Sequence, residues 1–168
     1  MTSLGPHPGA STPDVSRRMS VARRKDTKPE LDLRRLLHAR GLRYRVTYPV
    51  PGRPRRTMDV AFTRAKVAVF LDGCFWHGCP QHATQPRANA KWWERKLQMN
   101  VERDADTNQV LAGAGWAVLR FWEHEDPTAV ADTIEAVVRP VPFTSSHGTT
   151  PDRNLVVSPA PGKDVTDR

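Results

Sequence analysis

The stretch from Val67 to His82 constrains the fold more than any other part of this chain. It begins with the apolar run Val67–Leu71, which predicts a buried strand. An aspartate and a glycine follow this strand, and then come two cysteines, two histidines and two aromatic residues. A buried strand that ends in polar, metal-binding side chains is typical of a functional site. The plainer alternative is a loop that holds a structural zinc ion and performs no chemistry.

Length and charge set the class of protein. The 168 residues suffice for one domain with additional tails, and the net charge of +8 with a pI near 10.2 favours an anionic partner such as nucleic acid. Charge alone is equally compatible with a merely basic protein. No apolar run approaches transmembrane length, and the first residues lack the apolar centre of a signal peptide. We therefore expect a cytoplasmic, nucleoid-associated protein with no membrane partner.

The two ends of the chain differ from its middle. Residues 1–18 and 139–168 are rich in proline, serine and threonine without periodicity, which predicts disordered tails. Residues 19–138 are then the folded domain. The basic segment Arg17–Lys25 near its start is suited either to lie along phosphates or to remain a solvated arm.

Helical and strand patterns alternate through the folded part. The predicted helices open at Thr27, Ala90 and Asp126 and end at Gly41, Ala112 and Val138. The predicted strands are Leu42–Tyr48, Met58–Phe62, Val67–Leu71 and Trp116–Phe121, with a loop at Pro49–Pro54. In the first helix, Thr27 is the expected N-cap and Glu30 the acid that completes a capping box.

A predicted hairpin brings two aspartates together. Asp59 lies in its first strand, and Asp72 follows its second strand. Two carboxylates placed in this way can hold Mg²⁺, a hard ion that also binds phosphate oxygens. The alternative for Asp59 is an ordinary acid at a strand edge.

The cysteines and histidines of the chain have the spacing of zinc ligands. Cys74 and Cys79 are the only cysteines, and a reducing compartment disfavours a disulfide between them. His82 lies three residues beyond Cys79, and His124 is the best candidate for the fourth ligand of a tetrahedral, structural Zn²⁺ site. His77 is then left either as a neutral imidazole for proton transfer or as an ordinary loop or core histidine.

One face of the second predicted helix carries an acid among apolar residues. Three- and four-residue steps place Trp93, Leu97, Val101, Asp104 and Asn108 on this face. Burying the carboxylate of Asp104 is costly unless it is paired, and a neighbouring histidine would pair it.

These residues resemble those of a known family, the very short patch repair endonucleases. The resemblance runs in the family's order from Met19 to His124, and its most specific parts are Asp72–Cys79 and Asn100–Asp104. It implies an α/β fold like the core of type II restriction endonucleases (PD-(D/E)XK type), with a mixed central sheet flanked by helices and a structural zinc site. The other matching segments are Thr27–Glu30, Gly52–Pro54, Asp59, Trp92–Trp93 and Gly115–Glu123.

The resemblance implies a strand-nicking DNA endonuclease. Members of the family nick one strand 5′ to the thymine of a T·G mismatch that arises when 5-methylcytosine deaminates, and the nick starts a short repair tract. The implied partner is double-stranded DNA with such a mismatch, and mismatch-repair proteins are further candidates. We expect the enzyme to be a monomer.

The resemblance also implies roles for individual residues. Asp59 and the backbone carbonyl of Leu71 would bind catalytic Mg²⁺, His77 would activate the attacking water, and Asp104 would orient His77. Glu30 would lie near metal-bound waters, which is compatible with a capping role. Such a constellation supplies the charge stabilisation and the base that phosphodiester cleavage requires.

Two sets of DNA contacts follow from the same resemblance. Apolar wedges enter the base stack most easily at a mispair, because unstacking costs least there. The residues implied as wedges are Phe75, Trp76 and Trp93, and those implied as contacts to the wobble pair are Met19, Lys96 and Asn100. The zinc positions of the family fall on Cys74, Cys79, His82 and His124.

The sequence departs from the family in two places. Asp72, a further catalytic candidate, stands where some relatives have histidine, and Arg55–Met58 lengthens the loop before Asp59.

Two alternatives remain open. One is a zinc-stabilised DNA-binding module without nuclease activity, and the other is a related nuclease without mismatch preference.

Overall fold

In the described part of the chain, a mixed five-stranded sheet has helices on both faces. The computed structural model describes residues 26–82, 86–139 and 156–157, together with Gly9 and Arg17. Within these residues the helices are α1 (Lys28–Ala39), α2 (Ala90–Gly113) and α3 (Pro127–Val138). The strands are β1 (Arg45–Val50), β2 (Arg53–Phe62), β3 (Val67–Asp72), β4 (Ala117–Trp122) and β5 (Val156–Val157).

The strands lie in the order β1-β2-β3-β4-β5. The pairs β1/β2 and β2/β3 are antiparallel, so the predicted hairpin of the second and third strands is confirmed. The pairs β3/β4 and β4/β5 are parallel. The predicted tails fall largely outside the described residues, except that Val156 and Val157 pair with β4.

The predicted loop at Pro49–Pro54 is too long, and Arg55–Met58 belong to strand β2 and do not lengthen that loop. Strand β1 continues to Val50 and strand β2 begins at Arg53, so the turn is confined to Pro51 and Gly52. Gly52 has a φ of +69°, a conformation that favours glycine. Pro49 is tolerated within β1 because this strand lies at the edge of the sheet, where a missing N–H is harmless.

The start of α1 differs in detail from a capping box. The hydroxyl of Thr27 makes no hydrogen bond to a helix N–H and instead donates to Glu30 Oε1 at 3.1 Å. Glu30 Oε2 accepts from the N–H of Asp26 at 3.1 Å, one residue before the expected donor. Glu30 therefore ties the preceding chain to the helix, as a capping residue does, but with different partners.

The core lies on both faces of the sheet. Helices α1 and α3 cover one face and α2 covers the other. The first cluster comprises Leu33, Leu37, Leu42, Val60, Phe62, Val67, Val69, Leu119, Phe121, Val130, Ala131 and Ile134. The second comprises Val50, Met58, Ala61, Ala68, Phe70, Leu111, Trp116 and Val118.

The predicted inner face of α2 is wrong in part. The fully buried residues of this helix are Asn100, Thr107 and Leu111, whereas Val101 remains 47% exposed. The helix turns a partly polar side inward, because Asn100 and Asp104 form hydrogen bonds with Trp76 and His77 in the loop after β3. Apolar periodicity cannot indicate a face that is buried through polar contacts.

No helix among the described residues is long and apolar enough to span a membrane.

Candidate active site and metal centre

The parallel pairing of β3 and β4 builds the site, because both strands end at the same edge of the sheet. Asp72 pairs with Trp122, and the N–H of Glu123 donates to the carbonyl of Asp72 at 3.0 Å. The segments that follow the two strands therefore lie side by side. The chain after β3 carries the cysteines and His77, and the chain after β4 carries His124.

The four predicted zinc ligands converge at this edge. One sulfur or nitrogen atom from each of Cys74, Cys79, His82 and His124 lies within 4.8 Å of all the others. Cys74 Sγ is 3.1 Å from His124 Nδ1, and Cys79 Sγ is 3.8 Å from His82 Nδ1. A tetrahedral ion with bonds of about 2.3 Å to sulfur and 2.0 Å to nitrogen separates its ligand atoms by about 3.3–3.8 Å. These four side chains therefore fit a closed zinc site.

The environment of Cys74 favours the neutral thiol over the thiolate. Burial raises the pKa of its thiol, and the neighbouring Cys79 and Glu123 raise it further. The N–H of Cys74 donates to Glu123 Oε1 at 2.8 Å, which fixes the loop beside β4. Since metals bind the thiolate, an ion would have to supply the charge that this environment lacks.

His77 and Asp104 form the pair that the sequence suggested. His77 Nδ1 lies 2.6 Å from Asp104 Oδ2 and 3.6 Å from Asp72 Oδ1. Burial opposes ionisation of Asp104, but the hydrogen bond from His77 and the charge of Arg120 prevail and hold its pKa below the usual value. With both carboxylates on the Nδ1 side, the neutral ring carries its proton on Nδ1 and its lone pair on Nε2.

Arg120 is a component of the site that sequence analysis missed. Its side chain is 6% exposed, and its Nη1 lies 2.7 Å from both carboxylate oxygens of Asp72. Nη2 lies 3.3 Å from Asp104 Oδ1, and Nε donates to Asn108 Oδ1 at 3.1 Å. The sequence feature that could have revealed it is the presence of an arginine within the apolar run Trp116–Phe121. A buried guanidinium requires acceptors, so such a residue indicates acidic or amide partners.

Asp59 lies apart from the His77 group. Its Oδ2 accepts a hydrogen bond from the N–H of Leu71 at 2.9 Å. Burial raises the pKa of Asp59 to about 6. The bond from Leu71 opposes this rise, and the negative charges of Glu30 and Asp72 add to it. Glu30 is itself held by Arg34 Nη2 at 2.8 Å.

The described residues therefore place carboxylates at two separate positions near this edge of the sheet. Asp72, His77 and Asp104 bring ligand atoms within 4.8 Å of one another, but the guanidinium of Arg120 already contacts both carboxylates and offsets part of their charge. Asp59 belongs to neither of the candidate metal groups. A cation at Asp59 would stabilise a carboxylate that burial disfavours, so this residue fits a ligand of a hard metal ion.

The predicted aromatic wedges form one cluster beside His77. The ring centroids of Phe75 and Trp76 are 5.1 Å apart, and those of Phe75 and Trp93 are 5.3 Å apart. Trp76 is 43% exposed, whereas Phe75 and Trp93 are half-buried behind it. An exposed indole supported by two other rings can stack on a base.

The three residues expected to contact the wobble pair differ in burial, and one of them is not described by the structure. Asn100 is buried, and its Nδ2 donates to the carbonyl of Trp76 at 2.9 Å, so it supports the aromatic cluster. Lys96 is half-buried one turn earlier on α2. Met19 lies outside the described residues.

Comparisons with known proteins identify the family of this chain. Residues 12–83 match the family model described as DNA mismatch endonuclease Vsr. The type II nicking enzyme V.NaeI of Lentzea aerocolonigenes is 46% identical over 140 residues, which are 80% of this chain and 80% of that protein. The type II nicking enzyme V.NmeDIP of Neisseria meningitidis serogroup C is 38% identical over 76% of this chain and 88% of that protein. The DNA mismatch endonuclease Vsr of Escherichia coli K12 is 34% identical over 64% of this chain and 68% of that protein.

Proposed function

The chain belongs to the Vsr family of DNA mismatch endonucleases and is a DNA-nicking hydrolase, and from this premise we propose that it nicks one strand 5′ to the thymine of a T·G mismatch. The reaction would use Mg²⁺, the fold would be stabilised by Zn²⁺, and the core would be of the PD-(D/E)XK type. The observation that carries the proposal is the acid–imidazole–acid arrangement of Asp72, His77 and Asp104 beside an aromatic cluster that exposes Trp76.

Asp59 is the proposed protein ligand of Mg²⁺, together with the backbone carbonyl of Leu71. The buried carboxylate of Asp59 fits this role because its ionised form lacks solvation at this position. Glu30 lies near enough to Asp59 to raise its pKa, and it would accept hydrogen bonds from waters around the ion. When bound, Mg²⁺ would stabilise the negative charge that develops on the phosphate.

His77 is the proposed general base. Asp104 accepts a hydrogen bond from Nδ1, so Nε2 presents a lone pair to a water molecule that attacks phosphorus. The proton of that water would pass to Nε2, and the negative charge of Asp104 would stabilise the resulting imidazolium. Asp72 lies 3.6 Å from the same nitrogen and would contribute to this stabilisation.

Zn²⁺ is proposed as a structural ion. It would be held by Cys74, Cys79, His82 and His124, which leaves no position for a reacting water. This ion would fix the loop that carries His77 to the end of β4. The zinc ion would therefore support catalysis only by holding the loop of His77 in place.

Mismatch recognition is proposed to rest on the exposed ring of Trp76. Phe75 and Trp93 pack against this ring, and Asn100 holds its backbone, so the indole is presented on a rigid base. Insertion into a base stack costs least at a mispair. Lys96 and Met19 are proposed to contact the wobble pair, and the net charge of +8 would attract the phosphates.

The test uses two labelled duplexes that differ only in carrying T·G or C·G at one position. We expect a nick in the thymine strand of the T·G duplex with Mg²⁺, and none in the C·G duplex or without a divalent ion. Equal nicking of both duplexes would retain the nuclease and refute the mismatch preference. A His38→Ala variant, altered at an exposed histidine of α1, serves as an active control for a His77→Ala variant.

A further inference from the structure

Arg120 occupies a buried position, where the charge of an arginine destabilises the fold unless it is paired. It lies in the interior of β4, next to Phe70 of β3 in the parallel register, and its Cζ atom lies 4.6 Å from the centre of the Phe70 ring. Its neighbours in the strand, Leu119 and Phe121, belong to the core. A guanidinium is stable there only if its nitrogen atoms have acceptors.

All three nitrogens of the guanidinium face acceptors. Nη1 contacts Asp72, Nη2 contacts Asp104, and Nε contacts Asn108. Asp104 and Asn108 are four residues apart on α2, so a single side chain joins this helix to the end of β3. The planar fork of an arginine suits several fixed contacts better than the point charge of a lysine.

These contacts determine the surroundings of His77. Asp104 is held from two sides, since its Oδ2 accepts from His77 and its Oδ1 contacts Arg120. Asp72, the second carboxylate near Nδ1, is fixed through both of its oxygens. Two carboxylates so close together repel each other, and the charge between them offsets that repulsion.

We propose that Arg120 is a positioning residue for strand nicking, which acts through Asp104 and Asp72 to hold the imidazole of His77 in its reactive orientation. The inference rests on the proposed role of His77 as general base. It has a second consequence: Arg120 takes the place of a cation among Asp72, His77 and Asp104. The catalytic metal ion would then be held at Asp59, and Asp72 would not be one of its ligands.

The experiment compares Arg120→Lys and Arg120→Met with Arg40→Met as a matched control. Arg40 also bridges two carboxylates, Asp132 at 2.7 Å and Glu135 at 3.2 Å, but it joins α1 to α3 away from the site. For each zinc-loaded variant, the melting temperature, the maximal single-turnover nicking rate and the half-saturating enzyme concentration are measured on a duplex that the wild type nicks.

We expect the maximal rate of Arg120→Met to fall by about tenfold to a hundredfold, with half-saturation nearly unchanged, because misplaced groups slow chemistry without weakening binding. Arg120→Lys keeps the charge but loses the fork, so its rate should be intermediate. Arg40→Met should lose thermal stability and keep its rate.

Two results would overturn the proposal. One is a wild-type rate in Arg120→Lys, which decides the question even if Arg120→Met does not fold. The other is an equal loss of rate in Arg40→Met, since the effect would then follow stability alone. Because rates are compared with wild type on whichever duplex it nicks, a missing T·G preference would refute the proposed function without bearing on Arg120.

Discussion

Replacing Asp59 with asparagine should stabilise the metal-free protein while abolishing nicking. The pKa of Asp59 in the folded protein is about 6, against an ordinary value of 3.8, mainly because the carboxyl is buried. One pKa unit corresponds to about 1.36 kcal/mol, so the ionised carboxylate disfavours folding by about 3 kcal/mol at neutral pH. Asparagine keeps an acceptor for the N–H of Leu71 but carries no charge, so it removes most of this cost.

The dependence on pH distinguishes this cause from a general packing effect. A carboxyl whose pKa is raised on folding binds its proton more tightly in the folded state, so wild-type stability rises relative to the variant as pH falls through 6. The free energy of unfolding of Asp59→Asn should exceed that of the wild type by about 3 kcal/mol at pH 7.5 and by about half of that at pH 5. Above pH 7.5 it should remain constant.

Urea unfolding of the zinc-loaded protein without Mg²⁺ measures this difference at each pH. Asp132→Asn is the matched control, because it makes the same chemical change at a carboxylate whose side chain is 65% exposed and paired with Arg40. The control should change stability by less than about 1 kcal/mol. A variant at position 59 that is less stable than wild type at pH 7.5, or an advantage that does not change with pH, would refute the reasoning.

Three further substitutions test separate parts of the site. His77→Ala should reduce nicking by about a hundredfold or more, with His38→Ala as the active control. Gel shift should show that the variant still binds mismatched duplex. Loss of binding to the same degree would show that the role of His77 is structural. Cys79→Ser should yield protein with less zinc and a lower melting temperature, and a normal melting temperature without zinc would exclude a structural ion. Trp76→Ala should weaken binding to T·G duplex by about 1–3 kcal/mol, whereas Val101→Ala, at a similarly exposed apolar residue, should not.

The sequence predicted the parts of the site that depend on spacing. Cys74, Cys79 and His82 lie close together in the chain, and the end of a neighbouring strand supplies His124. The cost of an unpaired acid predicted a histidine partner for Asp104, and the family resemblance indicated that this partner is His77. The third predicted helix, with Asp126 as its cap, is confirmed because proline and an aspartate cap define its start locally.

The remaining features depend on contacts between distant segments. Arg120 is stabilised by acceptors on β3 and α2, which lie 48 and 12 or more residues away in the chain. Asn100 is buried because it supports the carbonyl of Trp76, and no periodicity reports such a bond. The extent of β1 depends on its place at the sheet edge, which is a property of the sheet and not of the proline-rich segment itself.

We propose that the mismatch, and not a fixed sequence, directs the nick. This proposal is tested most directly by mapping the cut at single-nucleotide resolution on a set of duplexes in which T·G is moved stepwise between several candidate contexts, including CT(A/T)GG. We predict that the nick moves with the mismatch and always lies just 5′ to its thymine. A nick that stays at one sequence position while the mismatch moves would contradict the account and identify a sequence-directed nicking enzyme.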